Sequence, residues 1–165
     1  MAIQVNSYIL PNSVAEKMIA KINETRDKKI ELGFSLCLTK KGNIITAGEG
    51  CAGTQCEMLQ PKECPTGNYI GGYHTHPKSG TKPSIADLAV AYNDEVGCIG
   101  SVRDEKIMCM VRDGPMVPQT MQEIRDAAKN IEEGSGKIVT KEQFQVWESA
   151  RDGILDKYFK VVDIK

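Results

Sequence analysis

No stretch of this 165-residue chain approaches the 18 consecutive apolar residues that a membrane-spanning helix needs. Excess charge of one sign is also lacking: 21 basic side chains face 22 acidic ones, for a net charge of −1. That balance excludes the broad basic footprint of a general nucleic-acid binder. The opening MAIQVNSYILPNSV has neither a basic leader nor a long apolar run, so no secretory signal is expected and the default location is cytoplasmic. The C-x2-C pairs of structural zinc knuckles do not occur, and neither does the H-E-x-x-H signature of the zincin proteases. There are no internal repeats and no low-complexity tracts. Histidine is scarce, at two residues.

What is present suits one compact domain with a single core, since two domains from this length would each bury too little. Six cysteines, at positions 37, 51, 56, 64, 98 and 109, accompany the missing signal. In a mesophile's cytosol they are expected to stay reduced. Disulfides are the alternative if the source is a hyperthermophile, with a second metal site a third option. Cys51, Cys56 and Cys64 lie in a Gly-, Cys- and Pro-rich stretch, residues 48–67, that reads as a long irregular loop. Cys37, Cys98 and Cys109 sit inside apolar, strand-like runs and read as small buried hydrophobes.

Periodicity predicts a helix over residues 11–28, capped by Asn12 or Ser13, with Val14, Met18, Ile19 and Ile22 on one apolar stripe. IELGFSLCLT and IITAG flank the turn KKGN as a hairpin, and NYIGGYHTH reads as a strand. SIADLAVAYNDE is a helix with Ser84 at its cap, and VGCIGSV and KIMCMVR flank RDE as the two strands of another hairpin. Beyond Pro118 the chain turns helical twice, the second helix opening on a Thr140–Gln143 capping box. Trp147, with Phe144, Ile154 and Leu155, reads as a packing residue of that helix. This order predicts an α/β (α+β) fold, a mixed central β-sheet packed by helices. Residues 1–118 are expected to form the sheet-bearing domain, and 119–165 a C-terminal helical extension packed on it.

Both histidines fall in Tyr73-His74-Thr75-His76-Pro77. Residues two apart on a strand point to the same face, so His74 and His76 present paired imidazoles, as a strand does when it grips a metal. Asp87 follows His76 by 11 residues, within Ser84-x-x-Asp87. The pattern suits a helix cap, yet a carboxylate in the first helical turn can cap and still turn an oxygen to a metal. Two imidazoles and one carboxylate would leave a tetrahedral zinc ion one open position. Such an ion polarises a carbonyl and lowers the pKa of water, as amide hydrolysis requires.

His74-x-His76-Pro77, followed by Ser84-x-x-Asp87 with ten residues between His76 and Asp87, resembles the JAMM (MPN+) metalloprotease motif. The resemblance runs from about residue 5 to residue 118. It implies an MPN/JAB-like fold with cytidine-deaminase-like layering. It also implies a zinc-dependent isopeptidase or peptidase acting at the C-terminal tail of ubiquitin or a ubiquitin-like protein. On that resemblance His74, His76 and Asp87 would ligate Zn2+ and Ser84 would steady the oxyanion. Glu31, 43 residues before His74, would be the general base, with Glu49, Glu57 and Glu63 in reserve. The family pattern has Gly three residues after that glutamate, whereas Gly33 comes two after Glu31. Gly71 and Gly72 would relieve crowding in a twisted strand or, as the resemblance favours, let a substrate backbone approach the metal, and the Cys-rich loop would border the cleft. The implied partner is a protein carrying ubiquitin or a ubiquitin-like modifier; from the composition neither general nucleic-acid binding nor a membrane is expected, and the oligomeric state is open. Alternatives are a non-catalytic MPN-like scaffold, or the same chemistry on another amide such as a sulfur-carrier tail or a cell-wall peptide.

Overall fold

A computed structural model describes residues 2–52, 64, 67–134 and 140–165. A short hairpin, β1 (Ala2–Val5) and β2 (Tyr8–Pro11), leads directly into helix α1 (Asn12–Lys28). Strands β3 (Glu31–Leu38), β4 (Ile44–Ala52) and β5 (Asn68–His76) follow, then helix α2 (Ile85–Asp94). β6 (Val96–Ser101) and β7 (Lys106–Arg112) form the next hairpin. Helices α3 (Pro118–Gly134) and α4 (Lys141–Tyr158) precede a last strand, β8 (Phe159–Asp163). Among the described residues these strands, β1 and β2 aside, form one sheet in the order β4-β3-β5-β6-β7-β8. Only the β5–β6 pair is parallel, as the α2 crossover between them requires. The fold is therefore the expected mixed sheet packed by helices.

The alternation of side chains along the central strands builds a core on each face. Tyr73, Cys98, Ile107, Cys109 and Val111 join Val14, Met18 and Ile22 of α1. Ile99, Met108 and Met110 point the other way, to Leu88 and Tyr92 of α2, Met121 and Ile124 of α3, and Phe159. β6 and β7 are buried on both sides, which is why they read as nearly unbroken apolar runs.

Several expectations are corrected. Pro11, not Asn12 or Ser13, is the N-cap of α1, and no side chain bonds there, because β2 runs into the helix without a loop. Cys37, Cys98 and Cys109 are not reduced thiols. Cys98 and Cys109 face each other in the β6–β7 register and are bridged. Cys37 on β3 is bridged to Cys64. Cys51 and Cys56 have side chains outside the described residues. The C-terminal segment is not purely helical, since β8 pairs with β7 and closes that side of the sheet. Phe144 stands 54% exposed, while Ile154 and Leu155 pack against the second core. Gly71 lacks a side chain for a structural reason. At φ +156°, a Cβ there would lie 1.7 Å from the Val96 carbonyl oxygen, so the close approach of β6 uses that space.

Candidate metal centre

His74 and His76 stand on the α2 side of β5, opposite to buried Tyr73 and Thr75. Their Nε2 atoms are 3.1 Å apart. The orientation of His76 is fixed from behind: its Nδ1 lies 2.8 Å from the Gly80 carbonyl oxygen. A carbonyl only accepts, so Nδ1 carries the proton and the neutral ring turns the Nε2 lone pair toward His74 and Asp87.

Asp87 comes from the first turn of α2, where the backbone is set by a reciprocal cap. The Ser84 hydroxyl accepts from the Asp87 N–H at 3.0 Å, and Asp87 Oδ2 accepts from the Ser84 N–H at 3.0 Å. The same Oδ2 lies 3.4 Å from His74 Nε2 and 3.6 Å from His76 Nε2. The cap therefore aims the carboxylate oxygen that faces the imidazoles. Burial pushes the Asp87 carboxyl up, but the two histidines and the Ser84 N–H outweigh it and hold the group well below the usual carboxylate range. Burial lowers the His76 imidazole, and the bonds to Asp87 and Gly80 with the charges of Asp87 and Glu31 reverse that, leaving it raised.

The two nitrogens and the oxygen make a triangle with edges of 3.1, 3.4 and 3.6 Å. Ligands about 2.0–2.1 Å from a tetrahedral ion are separated by about 3.3–3.4 Å, so one ion would satisfy all three donors. His74 and Asp87 keep 18% and 24% of their side-chain surface, so the centre opens to solvent. These three residues can hold a metal ion.

No protein-family model matches the chain, and no curated protein does. A solution structure of a protein from Salinibacter ruber (strain DSM 13855), a Northeast Structural Genomics Consortium target, is similar at 19% identity with a TM-score of 0.38. That match covers 62% of this chain and 80% of that one. A likeness at this level carries no weight for fold or function here.

The other expected residues lie around the triangle. Glu31 opens β3, two positions from Gly33, which pairs with His74 in the register. It therefore projects to the side of the sheet that bears the histidines, and its charge acts on His76. Ser84 is exposed at the helix start, and its oxygen is occupied as an acceptor while its proton is free to be donated. Glu49 lies on β4 opposite Phe34, away from the first residues of β3. Glu57 and Glu63 are outside the described residues.

Sequence reasoning did not single out Thr25, Thr75, Gly80 or Ser101. The Thr75 hydroxyl, wholly buried, accepts from the Leu32 N–H at 3.0 Å and donates to the Leu32 carbonyl at 3.3 Å. It also meets the Thr25 hydroxyl of α1 at 2.5 Å. The backbone register between β3 and β5 stops at Gly33 and His74, so Thr75 carries the pairing onward to the residue next to Glu31. A polar residue at an inward-pointing strand position was the available signal.

Proposed function

We propose that this chain is a zinc metallopeptidase of the JAMM type, hydrolysing an isopeptide or peptide bond at the C-terminal tail of ubiquitin or a ubiquitin-like protein. The observation that carries the reading is the donor triangle of His74, His76 and Asp87, sized for one tetrahedral ion and partly exposed to solvent. When bound, zinc supplies Lewis acidity, polarising a carbonyl and making water acidic near neutral pH. His74, His76 and Asp87 hold the ion, and the Gly80 carbonyl keeps His76 in the ligating tautomer. Glu31 takes a proton from the attacking water and returns it to the leaving amine. The Ser84 O–H, not consumed by its capping role, is donated to the oxygen that gains negative charge. The motif spacing, and not the geometry, supports the choice of substrate class.

No helix among the described residues is long and apolar enough to cross a membrane. A cytoplasmic setting belongs to the same proposal. There the Cys37–Cys64 and Cys98–Cys109 bridges would need the kind of intracellular environment found in hyperthermophiles.

The test is a panel of linear and isopeptide-linked ubiquitin-type substrates, incubated with zinc-loaded protein and with its Glu31→Gln variant. Cleavage after the tail's last residue by the wild type alone supports the reading. Cleavage confined to unrelated amides would move the substrate class and keep the chemistry. A zinc-loaded protein inert on all of them would favour a scaffold.

A further inference from the structure

Behind the triangle lies a second tier of contacts that starts on a neighbouring strand. His76 and Ser101 are the last residues of β5 and β6 and sit opposite each other in the parallel pair. From there the chain after β5 turns through Pro77 and Gly80 toward the Ser84 cap, and the chain after β6 turns through Asp104 into β7. The two turns are stitched together. The Val102 N–H donates to the His76 carbonyl at 3.1 Å. The Ser101 hydroxyl, fully buried, donates to the Ser79 carbonyl at 2.8 Å and accepts from the Asp104 N–H at 3.0 Å. Ser79 is joined to Gly80, whose carbonyl takes the His76 Nδ1 proton. Gly80 is itself pressed against the second turn, since a Cβ there would lie 2.5 Å from Asp104 Oδ2.

We propose that Ser101 is a positioning residue for the metal centre: its hydroxyl anchors Ser79, so that the Gly80 carbonyl stays in place to hold His76 in the Nδ1–H form with Nε2 facing His74 and Asp87. The chemistry asks for a hydroxyl. One buried group must give a proton to a carbonyl and take one from an amide, and an aliphatic side chain does neither. Releasing Ser79 frees the Gly80 carbonyl, and with it the choice of tautomer and the tilt of the ring. Groups bonded to the far side of a ligating imidazole set its orientation and basicity, and their loss costs about 10–100-fold in metal affinity. Ser101 touches neither the ion nor the substrate and acts through three residues.

The proposal rests on the metal reading for its affinity arm alone. The tautomer arm needs no metal. The experiment compares Ser101→Thr, which keeps the hydroxyl, with Ser101→Val, its isostere without one. Ser101→Ala repeats the comparison without added volume should the larger side chains hinder folding. Zinc affinity is read by competition with a chromophoric chelator, and the His76 tautomer by long-range proton–nitrogen correlation spectra of the metal-free protein. Wild type and Ser101→Thr should show a slowly exchanging Nδ1 proton on His76 and similar affinity. Ser101→Val and Ser101→Ala should lose that proton signal and bind zinc at least about tenfold more weakly. Ser79→Ala, which leaves the carbonyl in place, should match the wild type. Equal affinity and an unchanged tautomer in the variants without a hydroxyl would overturn the proposal. So would weaker binding with the tautomer intact, because the loss would then come from general damage. If the wild type binds no zinc, the metal reading fails and the tautomer comparison alone decides the role of Ser101.

Discussion

Replacing Thr75 by Val removes a hydroxyl and leaves the shape of the side chain almost unchanged, so its cost can be worked from the hydrogen bonds alone. The Thr75 oxygen uses its full capacity: one proton given to the Leu32 carbonyl, and two lone pairs taking the Leu32 N–H and the Thr25 hydroxyl. Thr25 and Thr75 are both completely buried, so no water replaces the missing partner. The Leu32 N–H has a single proton and is orphaned outright, whereas its carbonyl and the Thr25 hydroxyl are left short of one bond. A buried unsatisfied group costs about 1–3 kcal/mol, and one full and two partial losses sum to about 2–4 kcal/mol. In a chain of this size that lowers the melting temperature by about 5–15 °C. Thr75→Ser should recover most of it. Thermal and urea unfolding under oxidising conditions measure the effect, and the Thr25→Val, Thr75→Val double variant should cost less than the sum of the singles by about 1 kcal/mol or more. A Thr75→Val protein within about 0.5 kcal/mol of wild type, or strict additivity with Thr25→Val, would refute this account of how the Glu31 end of β3 is held.

Other expectations follow from the same geometry. The His76 imidazole, whose folded pKa is raised, stabilises the metal-free protein fully below its unfolded value of about 6.5 and ceases to do so as pH rises through the folded value. Asp87, whose carboxyl is lowered, stays ionised across that range and contributes until the pH falls through its folded value. Metal-free protein should therefore gain stability as pH drops from 8 toward 6, while zinc affinity falls over the same interval because protons compete for His76. Melting curves with and without zinc across that range would show the two trends, and parallel trends would contradict them. Removing the Cys37–Cys64 bridge by Cys37→Ser with Cys64→Ser should cost about 2–4 kcal/mol in denaturant unfolding, given its 27-residue separation. Zinc affinity should not change, because Cys37 pairs with Tyr69 at the opposite end of β5 from His76. Glu31→Gln should keep zinc and lose nearly all turnover once a substrate is in hand; unchanged turnover would move the base elsewhere.

Local signals carried most of the elements and the three candidate metal ligands into view. The period of two aligned His74 with His76, and the Ser84-x-x-Asp87 spacing placed a carboxylate in the first turn of α2, where one oxygen both caps and faces the imidazoles. The Thr140–Gln143 box marked the start of α4 correctly. What escaped was short or non-local. β8 is five residues that continue from α4 with no glycine or proline between them, so a helical pattern ran across its start. β1 and β2 are four residues each, joined through Asn6 at φ +54°, a turn residue whose signal is weak in so short a hairpin. The hairpin that carries Cys98 and Cys109 was legible, but not the register that sets them opposite each other, and the Cys37–Cys64 bridge joins residues 27 positions apart. The Thr25–Thr75 contact and the Ser101 anchor join residues far apart in the chain, which periodicity along one segment does not report.

The central claim is that His74, His76 and Asp87 bind one metal ion. Elemental analysis of dialysed protein, with His76→Ala and Asp87→Ala alongside, tests it without any substrate. The account predicts one zinc per chain in the wild type and none in either variant. No zinc after reconstitution, or zinc retained by both variants, would contradict it.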